Sequence, residues 1–419
     1  MTGREGTAKH VAIFVFPGFG HVNPTLELTR NLIALGHRVT YVLDEGLAGP
    51  PRAAGARVIG YASQRTRLGT GAVTGEDIGA LGLGFLREAM DVLLPHALKS
   101  LADDVPDIVL YDLESFFAAR TAALHWNRPT VQLFAYPASN ETYSLALEVF
   151  DGAAEHVSEC ISLVADYMEA RGTDPQDVLP YLANFDDRNI VLMPRWLQPH
   201  QETFDHRFAF VGHSLSQELP GTGSWNRPPG AERAALITLG TEVNDHPEFF
   251  RTCDDAFADG AWHTVLAMGR GNVPVDAPSA DHVEVHEWIP FHHVIPHVDA
   301  VVCHAGMSTM LMALYFDKPL VIVPYSPEER VNGRMVEELG IGRTLLPETV
   351  TAESLRAAVD QVAGDADIRR RVSRVRQQLL ADGGPSRASL LIDGWLNESP
   401  AAEPPSWAPR AHPRMMEMS

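Results

Sequence analysis

A chain of 419 residues is too long for one ordinary core and implies two domains. Its balance of 45% hydrophobic and 21% charged residues is that of a globular protein, not a disordered or bilayer-embedded one. A formal net charge of −21 argues against nucleic acids and anionic membranes as partners. Cys160, Cys253 and Cys303 are odd in number and have no zinc-ligand spacing; the start MTGREGTAKH has no apolar signal core, and no run reaches the roughly 18 apolar residues needed to span a bilayer. A reduced, cytoplasmic setting is therefore expected.

In chain order, HVAIFVF (10–16) has the pattern of a strand buried on both faces, and a glycine-rich turn, Gly18-Phe-Gly-His21, follows it. The helix after the turn is expected to open at Pro24 and close at Gly36. RVTYVL, PDIVLYD (106–112) and RPTVQLFAY (128–136) read as further strands. A helical SFFAARTAALHW separates the last two, so the half repeats β-α-β and predicts a parallel sheet. Segments 65–100 and 138–185 have helical character. A Ser/Gly/Pro-rich stretch at 213–230 marks a linker between an N-terminal domain (1–212) and a C-terminal one (231–385). Strands AALITLG, WHTVLAMG, VEVHEW, DAVVC and PLVIVP follow, with long helices near 351–363 and 366–381 and a last helix at 386–397. The Pro-rich tail, 398–419, is expected to be disordered.

Chemistry concentrates at 282–334. Val283, Val285 and Trp288 alternate along a strand whose closing indole offers a flat face to a base. DAVVC then runs into His304-Ala305-Gly306 and a helix starting near Met307, with Ser308 and Thr309 in its first turn. Free N–H groups, the positive end of the helix dipole, two hydroxyls and His304 together make a site for a diphosphate. Thr241, at the tip of AALITLG, is placed to cap the same phosphates. In the first half, His21 ends the turn after the first strand, where a parallel sheet opens its carboxyl edge. An imidazole's ordinary pKa near 6.5 suits removal of a hydroxyl proton. Asp112 closes the IVLYD strand at the same edge and can hold the far ring nitrogen.

The order Trp-x-Pro, His-Ala-Gly-x-Ser-Thr, Pro-x-x-x-acid and Asn332 resembles the nucleotide-sugar signature of family 1 glycosyltransferases, especially bacterial macrolide and enediyne natural-product glycosyltransferases. Phe16-Pro-Gly-Phe-Gly-His-Val-Asn-Pro24 is similar to that family's acceptor-side motif, so the likeness spans nearly the whole chain. The resemblance implies an α/β GT-B fold, with two Rossmann-like parallel-sheet domains facing a central cleft, and a last helix that returns to the first domain. It implies a His21–Asp112 dyad and direct displacement with inversion at the anomeric carbon. Donor contacts would come from Thr241, Trp288, His304, Gly306, Ser308, Thr309, Glu328, Glu329 and Asn332. The helical segments would wall an acceptor pocket, to which Phe85, Phe116, Tyr136 and Tyr143 are assigned, for an apolar aglycone.

Two departures from the family pattern bear on the donor. Met312 stands where a Glu usually holds the ribose hydroxyls; a thioether cannot accept that pair of hydrogen bonds, which favours a thymidine over a uridine diphosphosugar. Glu328-Glu329 replaces an acid–Gln pair and suits a deoxy- or aminosugar, or else Glu329 faces solvent or pairs with Arg330. Without an Asp-x-Asp motif no metal is required, and the co-substrate is the sugar nucleotide. A monomer or homodimer acting on two small molecules is expected. The alternatives are a sugar-nucleotide epimerase of the same fold and a catalytically silent partner of a glycosyltransferase. An NAD-linked dehydrogenase is disfavoured because Asn23 occupies the third glycine position of G-x-G-x-x-G.

Overall fold

Apolar runs of three to seven residues build two separate parallel sheets in the computed structural model, which describes residues 8–64, 73–215, 225–240, 246–269, 280–398 and 405–409. The first sheet contains β1 (His10–Phe14), β2 (Arg38–Asp44), β3 (Arg57–Tyr61), β4 (Ile108–Tyr111), β5 (Thr130–Phe134), β6 (Asn189–Val191) and β7 (Phe208–Phe210), in the order β3-β2-β1-β4-β5-β6-β7. Every residue of β1, β4 and β5 is buried, as helices on both faces of a parallel sheet require. Alternation along β1 feeds two cores. Val11 and Ile13 pack with Val22, Leu28 and Leu32 of the helix Phe19–Ala34, while Ala12 and Phe14 pack with Phe117, Ala118 and Trp126 of the helix Phe116–Trp126.

The second sheet contains β8 (Ala234–Thr238), β9 (His263–Ala267), β10 (Val283–His286), β11 (Ala300–Cys303), β12 (Leu320–Ile322) and β13 (Gly342–Thr344), in the order β10-β9-β8-β11-β12-β13. In each sheet the strand order reverses beside the first strand of that half, between β1 and β4 and between β8 and β11. Such switch points open a crevice at the carboxyl ends of the strands.

The chain divides into one unit of Met1–Thr66, Glu76–Ser214 and Asp382–Ser419 and another of Arg67–Gly75 and Leu215–Ala381. The sequence reading put its divisions at 212/213 and 385/386. The last helix, Gly384–Leu396, belongs to the first unit. Its Ala388, Ile392 and Leu396 enter the core that holds Leu28 and Leu32, and Asp393 meets His37 at 3.1 Å. No helix among the described residues is long and apolar enough to cross a membrane.

Two expectations are corrected. The first helix opens at Phe19, not Pro24: Gly18, extended at φ −136° and ψ 147°, caps it, and the Gly18 carbonyl accepts the N–H groups of both His21 and Val22. Pro24 sits in the second turn, where the bond it cannot make would have gone to the side-chain-free Gly20. Nor is the tail disordered throughout. Trp407 is buried, with its indole N–H donating to Asp186 at 3.0 Å and its ring 4.9 Å from the Arg120 guanidinium. One large aromatic here overrides the Pro-rich composition around it, because burying it removes a large apolar area from water.

Candidate active site

The two switch points carry different chemistry. At the first, Asp112 directly follows β4 and is held on three sides. Its Oδ2 accepts the Phe16 N–H at 2.7 Å and lies 2.9 Å from His21 Nδ1, and its Oδ1 accepts the Ser115 N–H at 3.0 Å. A carboxylate only accepts, so Nδ1 carries the ring proton and Nε2 is left as the basic nitrogen. The Phe16 ring packs on His21 with centroids 5.1 Å apart. A Cβ on Gly18 would come 3.3 Å from Phe16 Cδ1 and 3.5 Å from His21 Cδ2, so glycine lets the two rings close over the turn.

A third titratable group completes this cluster. Glu114 Oε2 lies 3.6 Å from His21 Nδ1 and accepts the Tyr136 hydroxyl at 3.0 Å. Burial of the carboxyl end, with the nearby Asp112 charge, pushes Glu114 up to about 7 against the opposing pull of His21. The side chain as a whole keeps 34% of its surface exposed. Glu114 belongs to none of the motifs singled out in the sequence, although Tyr111-Asp-Leu-Glu-Ser115 puts a second acid two residues past the first. His21, Asp112 and Glu114 bring ligand atoms within 4.8 Å of one another, close enough to meet on a cation. His21 Nδ1 and both Asp112 oxygens are engaged in hydrogen bonds.

The four aromatic residues assigned to the acceptor divide. Tyr136 faces His21 edge-on at 5.9 Å, and Phe85 backs Phe16 at 4.9 Å. Phe116 packs on Phe117 and Tyr181, and the buried Tyr143 leans on His200.

At the second switch point β11 runs into His304-Ala305-Gly306. Ala305 adopts φ 77°, a left-handed conformation costing roughly 1–2 kcal/mol for a residue with a Cβ, and the Asn332 amide braces it by donating to the Ala305 carbonyl at 3.0 Å. The His304 ring is clasped between two glycines: a Cβ would fall 2.6 Å from its Cε1 at Gly240 and 2.5 Å from its Nε2 at Gly306. Burial pushes His304 down to about 4, so a neutral imidazole faces this turn near neutral pH.

Gly306 caps the helix Met307–Tyr315. Thr309 donates its N–H back to the Gly306 carbonyl at 3.0 Å and is buried, so the amides left over at this helix end are those of Met307 and Ser308, with the half-buried Ser308 hydroxyl. Trp288 lies two residues beyond β10 with 64% of its surface exposed. Thr241 lies outside the described residues.

Glu329 neither faces solvent nor pairs with Arg330, whose partner is Glu348. Ser326 and Glu329 form a capping box on the helix Pro327–Leu339, and Glu329 Oε2 accepts the Tyr325 N–H at 2.6 Å and the Ser326 N–H at 3.0 Å. Its Oε1 is 4.0 Å from His304 Nε2, and burial pushes the group up to about 7. Glu328 sits half-buried in the first turn of the same helix.

An imidazole oriented by a carboxylate at one switch point, and a glycine-clasped helix N-terminus at the other, on two parallel α/β sheets, define the GT-B class of sugar transferases. Residues 259–390 match the erythromycin biosynthesis protein CIII-like C-terminal domain. The chain is 34% identical to demethyllactenocin mycarosyltransferase of Streptomyces fradiae, over 95% of this chain and 89% of that protein. It is 32% identical to oleandomycin glycosyltransferase of Streptomyces antibioticus, over 94% and 92%. Among solved structures it resembles the calicheamicin glycosyltransferase CalG4, with a TM-score of 0.81, 36% identity and coverage of 93% and 99%. The chain belongs to the natural-product branch of the family 1 glycosyltransferases, and it is a nucleotide-sugar-dependent enzyme that transfers a sugar to a natural-product aglycone.

Proposed function

We propose that the protein is an inverting glycosyltransferase of the cytoplasm. It would move a deoxy- or aminosugar from thymidine diphosphate to a hydroxyl of an apolar polyketide, macrolide or enediyne aglycone. The observation that carries this reading is the 2.9 Å contact between His21 Nδ1 and Asp112 Oδ2, which leaves Nε2 to take a proton. The acceptor hydroxyl loses its proton to Nε2 as its oxygen attacks the anomeric carbon, and the diphosphate departs from the opposite face. Asp112 stabilises the imidazolium that forms. Negative charge grows on the leaving diphosphate, where the Met307 and Ser308 amides, the Ser308 hydroxyl and His304 would act most strongly in the transition state. No step calls for a metal. Met312, half-buried on the same helix, offers no partner for a ribose hydroxyl, which supports the thymidine donor.

The test is a donor panel read out as nucleoside diphosphate released with and without aglycone. Release that needs the aglycone and prefers thymidine donors is expected. Aglycone-independent turnover points to an epimerase, and a strong uridine preference removes the donor assignment. His21→Ala should lower turnover roughly 10²- to 10⁴-fold while the donor still binds.

A further inference from the structure

The dyad contains Nδ1 of His21 and a single carboxylate, yet a second carboxylate approaches the same nitrogen. Glu114 Oε2 stands 3.6 Å from Nδ1, and the Tyr136 hydroxyl, 3.0 Å away, holds that oxygen in place. Tyr136 also presents its ring edge-on to the imidazole at 5.9 Å, so the phenol is fixed against both partners at once. We propose that Glu114, aligned by Tyr136, is a positioning residue for the transferase reaction: it places a second negative charge beside the His21 imidazolium formed as the acceptor loses its proton. Glu114 can act in this way only if His21 is the base, as proposed above.

Charge decides the point. Asp112 alone, tied to two backbone amides, already fixes the ring's direction, so a second acid adds little orientation. It adds Coulomb attraction at a site that is partly exposed and in which Phe16, backed by Phe85, packs on the His21 ring. The titratable groups facing Glu114 are His21 from the helix Phe19–Ala34, Asp112 after β4 and Tyr136 after β5, and Asp112 in turn acts on Tyr61, which closes β3. Because Glu114 sits up near 7, its charge is present only on the alkaline side of neutrality. A proton on Glu114 then lowers the rate and one on His21 abolishes it, so where both titrate the acid limb of the kcat/KM profile is steeper than a single proton makes it.

The experiment compares pH profiles of kcat/KM for the wild type, Glu114→Gln and Tyr136→Phe, with kcat, donor KM and melting temperature for each. Glu114→Gln should lower kcat on the alkaline plateau roughly three- to tenfold, leave donor KM unchanged and reduce the acid limb to one-proton steepness. Tyr136→Phe keeps the acid but removes a hydrogen bond that favours its charged form, so its acid limb should move to higher pH. A purely structural role for Glu114 would lower melting temperature and leave the limb's shape alone. Superimposable limbs with plateau kcat within about twofold of wild type overturn the proposal. If Glu114→Gln folds poorly, an unmoved limb in Tyr136→Phe overturns it equally. His21→Ala, run alongside, separates the two ideas: full activity there removes the base itself, whereas a dead His21→Ala beside an unaltered Glu114→Gln sinks only the role of Glu114.

Discussion

The imidazole of His304 fills the space that a side chain on Gly306 would need: a Cβ there would stand 2.5 Å from Nε2 and 2.8 Å from Cε1. Gly306 itself has an ordinary φ of −60°, so the requirement for glycine is steric and not conformational. Gly306→Ala should therefore push His304 out of place without unfolding the turn. Donor affinity measured by calorimetry is expected to fall about tenfold or more, with only the modest stability loss of an overpacked site, about 1–3 kcal/mol. Unchanged affinity would show that His304 takes no part in donor binding.

Asp112→Asn preserves shape but puts an amide opposite Nδ1. Phe16 N–H and Nδ1 share Oδ2 while the Ser115 N–H uses Oδ1, so the amide either keeps its oxygen for Nδ1 and sets its NH₂ against the Ser115 N–H, or satisfies Ser115 and turns its NH₂ toward Nδ1, which reverses the tautomer; both orientations lose the negative charge beside the imidazolium. We expect kcat to drop roughly 10²- to 10⁴-fold, with diphosphate affinity intact because the site proposed for it lies at the other switch point. A loss confined to KM would mean that Asp112 serves binding only.

Glu329 links pH to stability. Its folded-state value, about 7, lies above the ordinary 4.5, so its contribution is fully present below about 4.5 and is lost as pH rises to about 7. Glu329→Gln keeps a capping-box residue but abolishes this titration. The variant should gain on the wild type across that window by about 2–4 kcal/mol, measured by urea denaturation at pH 4.5 and pH 8. His304 acts in the opposite sense, costing stability as pH falls from about 6.5 towards about 4. A pH-independent difference would refute the buried-acid account.

Trp407→Ala should destabilise the first unit by about 3 kcal/mol or more, since it opens a large cavity and removes a ring lying over the Arg120 guanidinium. Asp186 keeps other donors, from Tyr111 and Thr130, so the loss is chiefly one of packing. Denaturation midpoints of the variant and of a chain ending at Glu398 should fall together; wild-type midpoints in both would show that the indole is not held.

What was legible in the sequence followed from short-range physics. Val11 to Phe14 and Ala300 to Cys303 announced buried strands, and the residues just after such strands had to emerge at a sheet edge. His21 and Asp112 could thus be paired across 91 residues before any coordinates, and they lie 2.9 Å apart. The helix Met307–Tyr315 begins where the Gly306 turn implied. Less legible was the division of labour inside the second site. Asn332, assigned to the sugar nucleotide, donates to the Ala305 carbonyl, and Thr309 turns its amide back to Gly306. A motif shows that such residues occur together but not which of them the backbone needs for its own hydrogen bonds.

By itself the sequence determined two parallel α/β halves, their glycine turns and the family to which they belong, because strand burial, helix capping and turn geometry depend on residues a few positions apart. Only the tertiary structure decided that Glu114 and Tyr136 join His21, that two glycines from different strand ends clasp His304, and that Trp407 closes over Arg120. Apart from the Gly306–His304 approach, those contacts join residues well separated in the chain, and they are selected by the shape and polarity of a packed interior that no local pattern encodes.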